Sequence, residues 1–338
     1  MTAKQVLITG GAGYVGGWTI ATALQQGFSV RATLRDKGAS ETVRRNIATL
    51  NVGTERLSFV EADLTKDESW DAAMQGVEYV LHVASPMIPR QGLDLIATTR
   101  DGTLRVLKAA KAAGVKRVVI TSSLVAAKPA IVTGNPTDET VWTDTERTGI
   151  GEYVRAKTLS ERAAWNFVAN ETSLELTTIL PSFIQGPAFG STTSPSQELI
   201  ARMLAGKMPA LPPIALSIVD VRDIVKLHLS AMNAPEAAGE RIIGTAESVW
   251  LLEIATTLKE HFGHDADRVA TRVMPKWLAY CIALFNPQMR QFILDLGRKH
   301  QFSATKAAQL LGWKARPARE AIVATAASIL ALAGRSRS

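Results

Sequence analysis

The sequence predicts an α/β fold: a doubly wound parallel sheet followed by a smaller C-terminal lobe. Two observations carry this. From residue 5 to about 182, short apolar, β-branched runs alternate with amphipathic stretches of helical length. After ILPSFIQGP (179–187) the alternation breaks up, and prolines and glycines gather at 186–196 and 206–213. Apolar strands separated by helices build βαβ units on a parallel sheet buried on both faces. The predicted division is 1–182 for the wound domain and 183–338 for most of the lobe, with some elements of the second part returning to the main sheet.

Taken in order, the predicted strands are QVLIT (5–9), SVRATL (29–34), LSFVEA (57–62), YVLHVA (79–84), RVVITS (117–122) and LELTTIL (174–180). Amphipathic helices are expected between them, among them 15–26, 93–113 and 150–169. Beyond them come a short LSIVDVRD segment, further helices and one more strand-like run, ERIIGTA (240–246). The run WLAYCIALF (277–285) reads as a buried or pocket-lining helix. It is about half of the ~20 residues that a bilayer span needs.

Composition narrows the function class. The chain has 338 residues, 46% of them hydrophobic and 20% charged, which suits a globular protein with a large core. A single cysteine, Cys281, allows neither an internal disulfide nor a cysteine metal cage. A reducing, cytoplasmic setting is therefore expected, and M-T-A-K followed directly by QVLITGG has no signal-peptide pattern. The net charge of +7 is spread, without a dense lysine and arginine arm. Arg335 and Arg337 in GRSRS read as a frayed tail. The expected partner is a small molecule, not a nucleic acid or a membrane.

The chemistry begins where the first predicted strand meets TGGAGYVGG. Gly10, Gly13 and Gly16 satisfy G-x-x-G-x-x-G, with Tyr14 and Val15 in the same turn. Glycines there allow a tight turn and let backbone approach a pyrophosphate at the next helix N-terminus. At the end of the second strand, where a ribose-binding acid is usual, the chain reads Leu34 then Arg35. A guanidinium matches a phosphate, so Arg35, with Lys37, points to the 2′-phosphate of NADP. Asp63 in EADLT is placed to accept from an adenine amino group, with the Leu64 amide beside it. The residues of HVASP, including Val83, Ala84 and Ser85, let backbone approach the cofactor; His82 reads as structural. Ser122 and Ser123 end the fifth strand at the same edge, where a hydroxyl can stabilise a developing oxyanion. Tyr153 and Lys157 in GEYVRAK lie one helical turn apart and share a face. An ammonium beside a phenol favours the phenolate, which tunes the tyrosine as a proton donor or acceptor.

The motifs TGGAGYVG, ADLT, HVASP, TSS, YVRAK and LPSFIQGP, with SIVDVRDIVKLHL and FSATKAAQLLGW later on, resemble the extended short-chain dehydrogenase/reductases, also called the NAD-dependent epimerase/dehydratase superfamily. FSVRATLRDK and HVASP resemble its dihydroflavonol reductase, cinnamoyl-CoA reductase and aldehyde/ketone reductase branch. The resemblance implies that Arg35 holds the NADP phosphate, that Pro181 and Ile184 wall the nicotinamide, and that Ser196 contacts the cofactor. It implies a catalytic Ser123, Tyr153 and Lys157, with Ser122 as the alternative serine. Two features depart from it. TGGAGYVGG is spelled as in the sugar-nucleotide epimerases, yet their Val-Tyr-Gly after the serines is replaced by SSLVAAKPA, and DTERTGIGE stands where the plant reductases carry their own signature.

The expected activity is an NADPH-dependent reduction of a bulky hydrophobic aldehyde or ketone by a monomer or homodimer. Val125, Phe183, Phe189, Met203, Met208 and the 277–285 helix are the candidate pocket lining, with 128–142 at its rim. The alternatives are a hydroxysteroid-type dehydrogenase or a sugar-nucleotide epimerase of the same fold. From another class, a non-catalytic NADP-binding redox sensor would fit the same cradle.

Overall fold

The computed structural model describes residues 4–86, 94–132, 134–191, 194–290 and 292–335. Arg337 of the predicted tail lies outside them, as does Thr133 of the predicted rim. The first part of the chain alternates β1 (Gln5–Thr9), α1 (Tyr14–Gln25), β2 (Ser29–Leu34), α2 (Ser40–Ala48), β3 (Leu57–Glu61), α3 (Trp70–Met74) and β4 (Tyr79–His82). It continues with α4 (Leu95–Ala112), β5 (Arg117–Thr121), α5 (Glu152–Val168) and β6 (Glu175–Pro181). The first two strands have the predicted bounds. HVASP leaves the strand at His82, so its last four residues form a loop at the sheet edge.

These strands form a seven-stranded sheet in the order β3-β2-β1-β4-β5-β6-β9, where β9 is Arg241–Gly244. All its pairings are parallel. This is the Rossmann arrangement: chain order reverses at β1 and β4, and ligands of such sheets lie beyond the strand C-termini at that reversal. The period of two sends successive apolar side chains to opposite faces. Val6 and Ile8 join a core with α1, α2 and α7 (Val221–Asn233), while Leu7 joins Trp70, Met74, Val106, Leu107 and Ala164 from α3, α4 and α5 on the other face.

The chain beyond residue 182 does not stay in one lobe. β9 extends the main sheet beside β6, and α7 packs its buried face with α1. Arg117, 2% exposed, fastens α7 from below by donating to the carbonyls of Ala231 and Ala234 at the end of that helix. Helix α11 (Thr305–Leu311) joins the first core through Ala307, and most of the other elements build a second core. Here β7 (Phe183–Gln185), β8 (Ala215–Asp220) and β10 (Ser248–Trp250) make a mixed three-stranded sheet. Around it lie α6 (Pro195–Leu204), α8 (Leu251–Phe262), α9 (Lys276–Phe285) and α12 (Ala318–Arg335), joined through Ile200, Leu204, Ile254, Leu258, Ala279 and Ile322. Short helices α10 (Pro287–Arg290) and α11 complete the chain.

One helix differs from its prediction. Only Ala279 and Ala283 of α9 are fully buried, while Trp277 is 66% and Phe285 88% exposed. Apolar residues surround the whole helix, so the pattern gave no direction to its buried face. The small residues decided it, because they allow close approach to the second core.

Candidate active site and dinucleotide cradle

The glycine turn after β1 is built by contacts that leave no room for side chains. Gly10 adopts φ +75°, and a Cβ there would stand 3.0 Å from the Ala84 Cα. A Cβ on Gly16 would lie 2.1 Å from the Gly10 carbonyl oxygen. The Gly11 N–H donates to the Thr33 carbonyl at 3.0 Å and the Gly13 N–H to the Gly10 carbonyl at 2.9 Å. Helix α1 then starts from Gly13 with no side-chain cap and no acid in its first turn. Free amides at a positive helix end suit a pyrophosphate. Tyr14 points its ring into the core, where burial pushes its phenol well above the usual range, and Val15 is partly buried against the same core. Any contact from these two to a dinucleotide would therefore be made by main chain.

Arg35 and Lys37 are exposed just past β2, and Asp36 turns away to accept the Gly38 N–H at 2.8 Å. Among the described residues Arg35 makes no hydrogen bond or salt bridge. Asp63 uses one carboxylate oxygen to accept the N–H and hydroxyl of Thr65, both at 2.8 Å. Its carboxyl is held below the usual range by the Thr65 N–H first, with help from the Arg35 charge. A cradle without Cβ atoms, an uncapped helix start and an uncommitted guanidinium fit a dinucleotide carrying an extra phosphate.

The Ser-Tyr-Lys group comes together at the same edge. Lys157 is buried on α5 and donates to the Thr121 carbonyl at the end of β5, 2.8 Å away. Burial lowers its pKa to about 8, and the Glu161 charge one turn further along opposes that shift. Burial pushes the Tyr153 phenol up, and hydrogen bonding with Ser123 offsets part of this. In this state the lysine is anchored to the strand end, and it is the serine that lowers the phenol. The two serines have different work. Ser122 donates to the Glu161 carboxylate at 2.6 Å, whereas the Ser123 hydroxyl meets Tyr153 and, among the described residues, accepts the Val125 N–H at 3.4 Å. His82 is buried and bonded through Nδ1 to the Thr9 hydroxyl at 2.8 Å; burial lowers its pKa to about 3, which leaves it neutral at physiological pH. A cavity of about 10 Å³ lies behind the group, lined by His82, Thr103, Ser122, Lys157, Ser160 and Glu161 among others.

The remaining predicted residues line the approach. Val83, Ala84 and Ser85 form the loop after β4, and the Ala84 N–H is fixed to Thr9 at 2.9 Å. Pro181 ends β6, buried and paired with Gly244. Ile184 on β7 gives its carbonyl to the Ser196 hydroxyl at 2.6 Å. Ser196 is thus a tie between α6 and β7, and its hydroxyl is already committed. Of the candidate pocket residues, Val125 and Phe183 are partly exposed and Met208 packs partly against the second core. Phe189 and Met203 are each 1% exposed and fill cores, Phe189 lying against Gly17, so neither is an open wall.

Thr9, Glu161 and Arg241 were not singled out by sequence. A signal existed for Glu161: it follows Lys157 by the same four residues that separate Lys157 from Tyr153, so all three share a helix face. Arg241 carried none, because only the return of β9 to the sheet brings it near.

The sequence model of the NAD dependent epimerase/dehydratase family matches residues 6–244. The chain is 35% identical over 267 residues to cinnamoyl-CoA reductase 1 of Oryza sativa subsp. japonica, covering 76% of this chain and 75% of that protein. It is 32% identical over 270 residues to dihydroflavonol 4-reductase of Zea mays, covering 76% and 74%. In three dimensions it resembles the yeast methylglyoxal/isovaleraldehyde reductase Gre2 complexed with NADPH, at 24% identity and a TM-score of 0.79, over 98% of this chain and 99% of that one.

Proposed function

The chain belongs to the NAD dependent epimerase/dehydratase family, and on that premise we propose that it is an NADPH-dependent carbonyl reductase. The observation that carries the proposal is the meeting of Ser123 and Tyr153 beside a buried Lys157, at the sheet edge above the glycine cradle. Relatives whose names are reductases lend it support. NADPH would be held by the Gly10–Gly16 turn, Arg35, the free Asp63 oxygen and Lys157, and when bound it supplies the hydride.

The chain's own residues do the rest. Ser123 donates a hydrogen bond to the substrate carbonyl oxygen as negative charge develops there. Tyr153 gives that oxygen its proton. A phenol is protonated at neutral pH, the form a reductase needs, and burial raises the Tyr153 pKa further. Lys157 places a positive charge one turn away and would orient the nicotinamide ribose. Partly exposed Val125 and Phe183 favour an apolar substrate of some bulk. Of the predicted serines, Ser123 is the better candidate because the Ser122 hydroxyl already donates its hydrogen bond to Glu161.

The test follows NADPH and NADH absorbance with aromatic and aliphatic aldehydes and ketones. Wild type is expected to turn over with NADPH. Tyr153→Phe should bind NADPH normally and lose about 10²- to 10⁴-fold in kcat, the range of a positioned proton donor. Near-normal turnover by that variant would refute the assignment.

A further inference from the structure

Glu161 is a carboxylate 2% exposed, in a position where a charge needs a reason. One oxygen accepts from Ser122 at 2.6 Å; the other accepts from Thr178 at 2.8 Å, from Arg241 Nε at 2.8 Å and from Trp165 at 3.4 Å. These donors come from the β5 end, β6, β9 and α5 itself. Arg241 then carries the tie outward. It donates to the carbonyls of Glu139, Val141 at 3.0 Å and Ala126, and its guanidinium stacks 3.6 Å from the Trp142 ring. Thr143 completes the strap by donating to the Val125 carbonyl at 2.6 Å and accepting from Lys128 at 2.7 Å. The segment after Ser123 and the 139–143 rim are thereby fastened to the helix that bears Tyr153 and Lys157.

We propose that Glu161, clamped by Arg241, is a positioning residue that sets the Ser122–Ser123 turn and the pocket rim against the catalytic helix and keeps a negative charge behind Lys157. A fully paired buried ion pair contributes little net stability, whereas its geometry fixes a unique arrangement of the elements it joins. Among the described residues, the titratable and charged groups around Lys157 are Tyr153 and Glu161 on its own helix, His82 from β4 and, through Glu161, Arg241 from β9. α4 offers only the Thr103 hydroxyl, bonded to Ser160. His82 is neutral, so Glu161 is the one negative charge in that set and holds the proton on Lys157 against burial.

The activity arm of the test rests on the reductase reading; a second arm does not. Lysine labelled with ¹³C at Cε is titrated by NMR in the full chain, with Lys157→Arg assigning the signal. Glu161→Gln is expected to lower the pH at which Lys157 titrates and to move the alkaline limb of kcat to lower pH. It should reduce kcat by about 10- to 100-fold, the scale of a small misplacement, with KM for NADPH within about twofold of wild type. Glu161→Asp should recover part of the loss. Arg241→Lys keeps the charge but loses the fork to the rim, so it should raise the carbonyl substrate KM with the alkaline limb in place. If Glu161→Gln does not fold, Glu161→Gln combined with Arg241→Gln removes both charges and is read the same way. Unchanged Lys157 titration, or unchanged kcat in the folded variant, overturns the proposal. If wild type turns over no carbonyl compound, the reductase reading falls, and the NMR titration alone decides the role of Glu161.

Discussion

Arg35 leaves β2 with its guanidinium in solvent and no hydrogen-bond partner among the described residues. A charge-assisted bond from such a group to a phosphate contributes about 1.5–3 kcal/mol, or roughly 10- to 100-fold in affinity. Arg35→Ala is therefore expected to raise KM for NADPH by roughly that factor and to leave KM for NADH nearly unchanged. Steady-state kinetics with both cofactors checks it; equal changes in the two would place the 2′-phosphate elsewhere. At this scale much of the candidate site was legible. Tyr153 and Lys157 are local to one helix, and the glycines to one turn, so spacing alone brings them together. The two serines were not separable by spacing. Their difference lies in Glu161 and Tyr153, which reach them across the fold. Arg241 was invisible for the same reason, being 80 residues from its partner Glu161.

Elements show where the cradle is intolerant of change. The start of α1 is pressed against its own turn, and the Gly16 position faces the Gly10 carbonyl at 2.1 Å from where a Cβ would be. That neighbour is backbone and cannot swing away, so Gly16→Ala forces the helix off the strand. Overpacking of this kind costs about 1–3 kcal/mol. The expected outcome is a lower Tm by several degrees together with loss of NADPH binding, read by a thermal scan and by quenching of tryptophan fluorescence. Unaltered binding would mean that the helix start is not the pyrophosphate site. The strands of the parallel sheet were legible because each is a short apolar run between turn residues. Strands β7 and β10, of three residues each, were not: they are too short to show a period, and their pairing with β8 decides their state. Helix α9 was legible as a helix, but its buried face was not, because it is apolar all round.

Across the whole molecule, two buried histidines contribute to its response to acid. His228 on α7 lies against the sheet, its Nδ1 bonded to the Ile224 carbonyl at 2.8 Å and its Nε2 to the Thr121 hydroxyl at 2.8 Å. A carbonyl only accepts, so Nδ1 carries the proton, and neutral Nε2 accepts from Thr121. Burial lowers the pKa of His228 from 6.5 to about 4, and that of His82 from 6.5 to about 3. The unfolded chain takes up these protons near pH 6.5, whereas the folded chain refuses them until pH 4 or 3. Between those limits the unfolded state binds more protons, so stability falls as pH falls, and the contribution is fully present above 6.5. Lys157 acts at the other end. Between about 8 and 10.5 the folded chain has released a proton that the unfolded chain keeps, so this group makes stability rise with pH. Urea midpoints should therefore decline from pH 6.5 towards 4, and His228→Gln should make the fall shallower by up to about 1.4 kcal/mol per pH unit, the contribution of one proton. The comparison is of slopes, so a uniform loss of stability in the variant does not obscure it. An equal slope in variant and wild type would show that His228 titrates normally in the folded chain, and that the contact between α7 and the end of β5 is open to water.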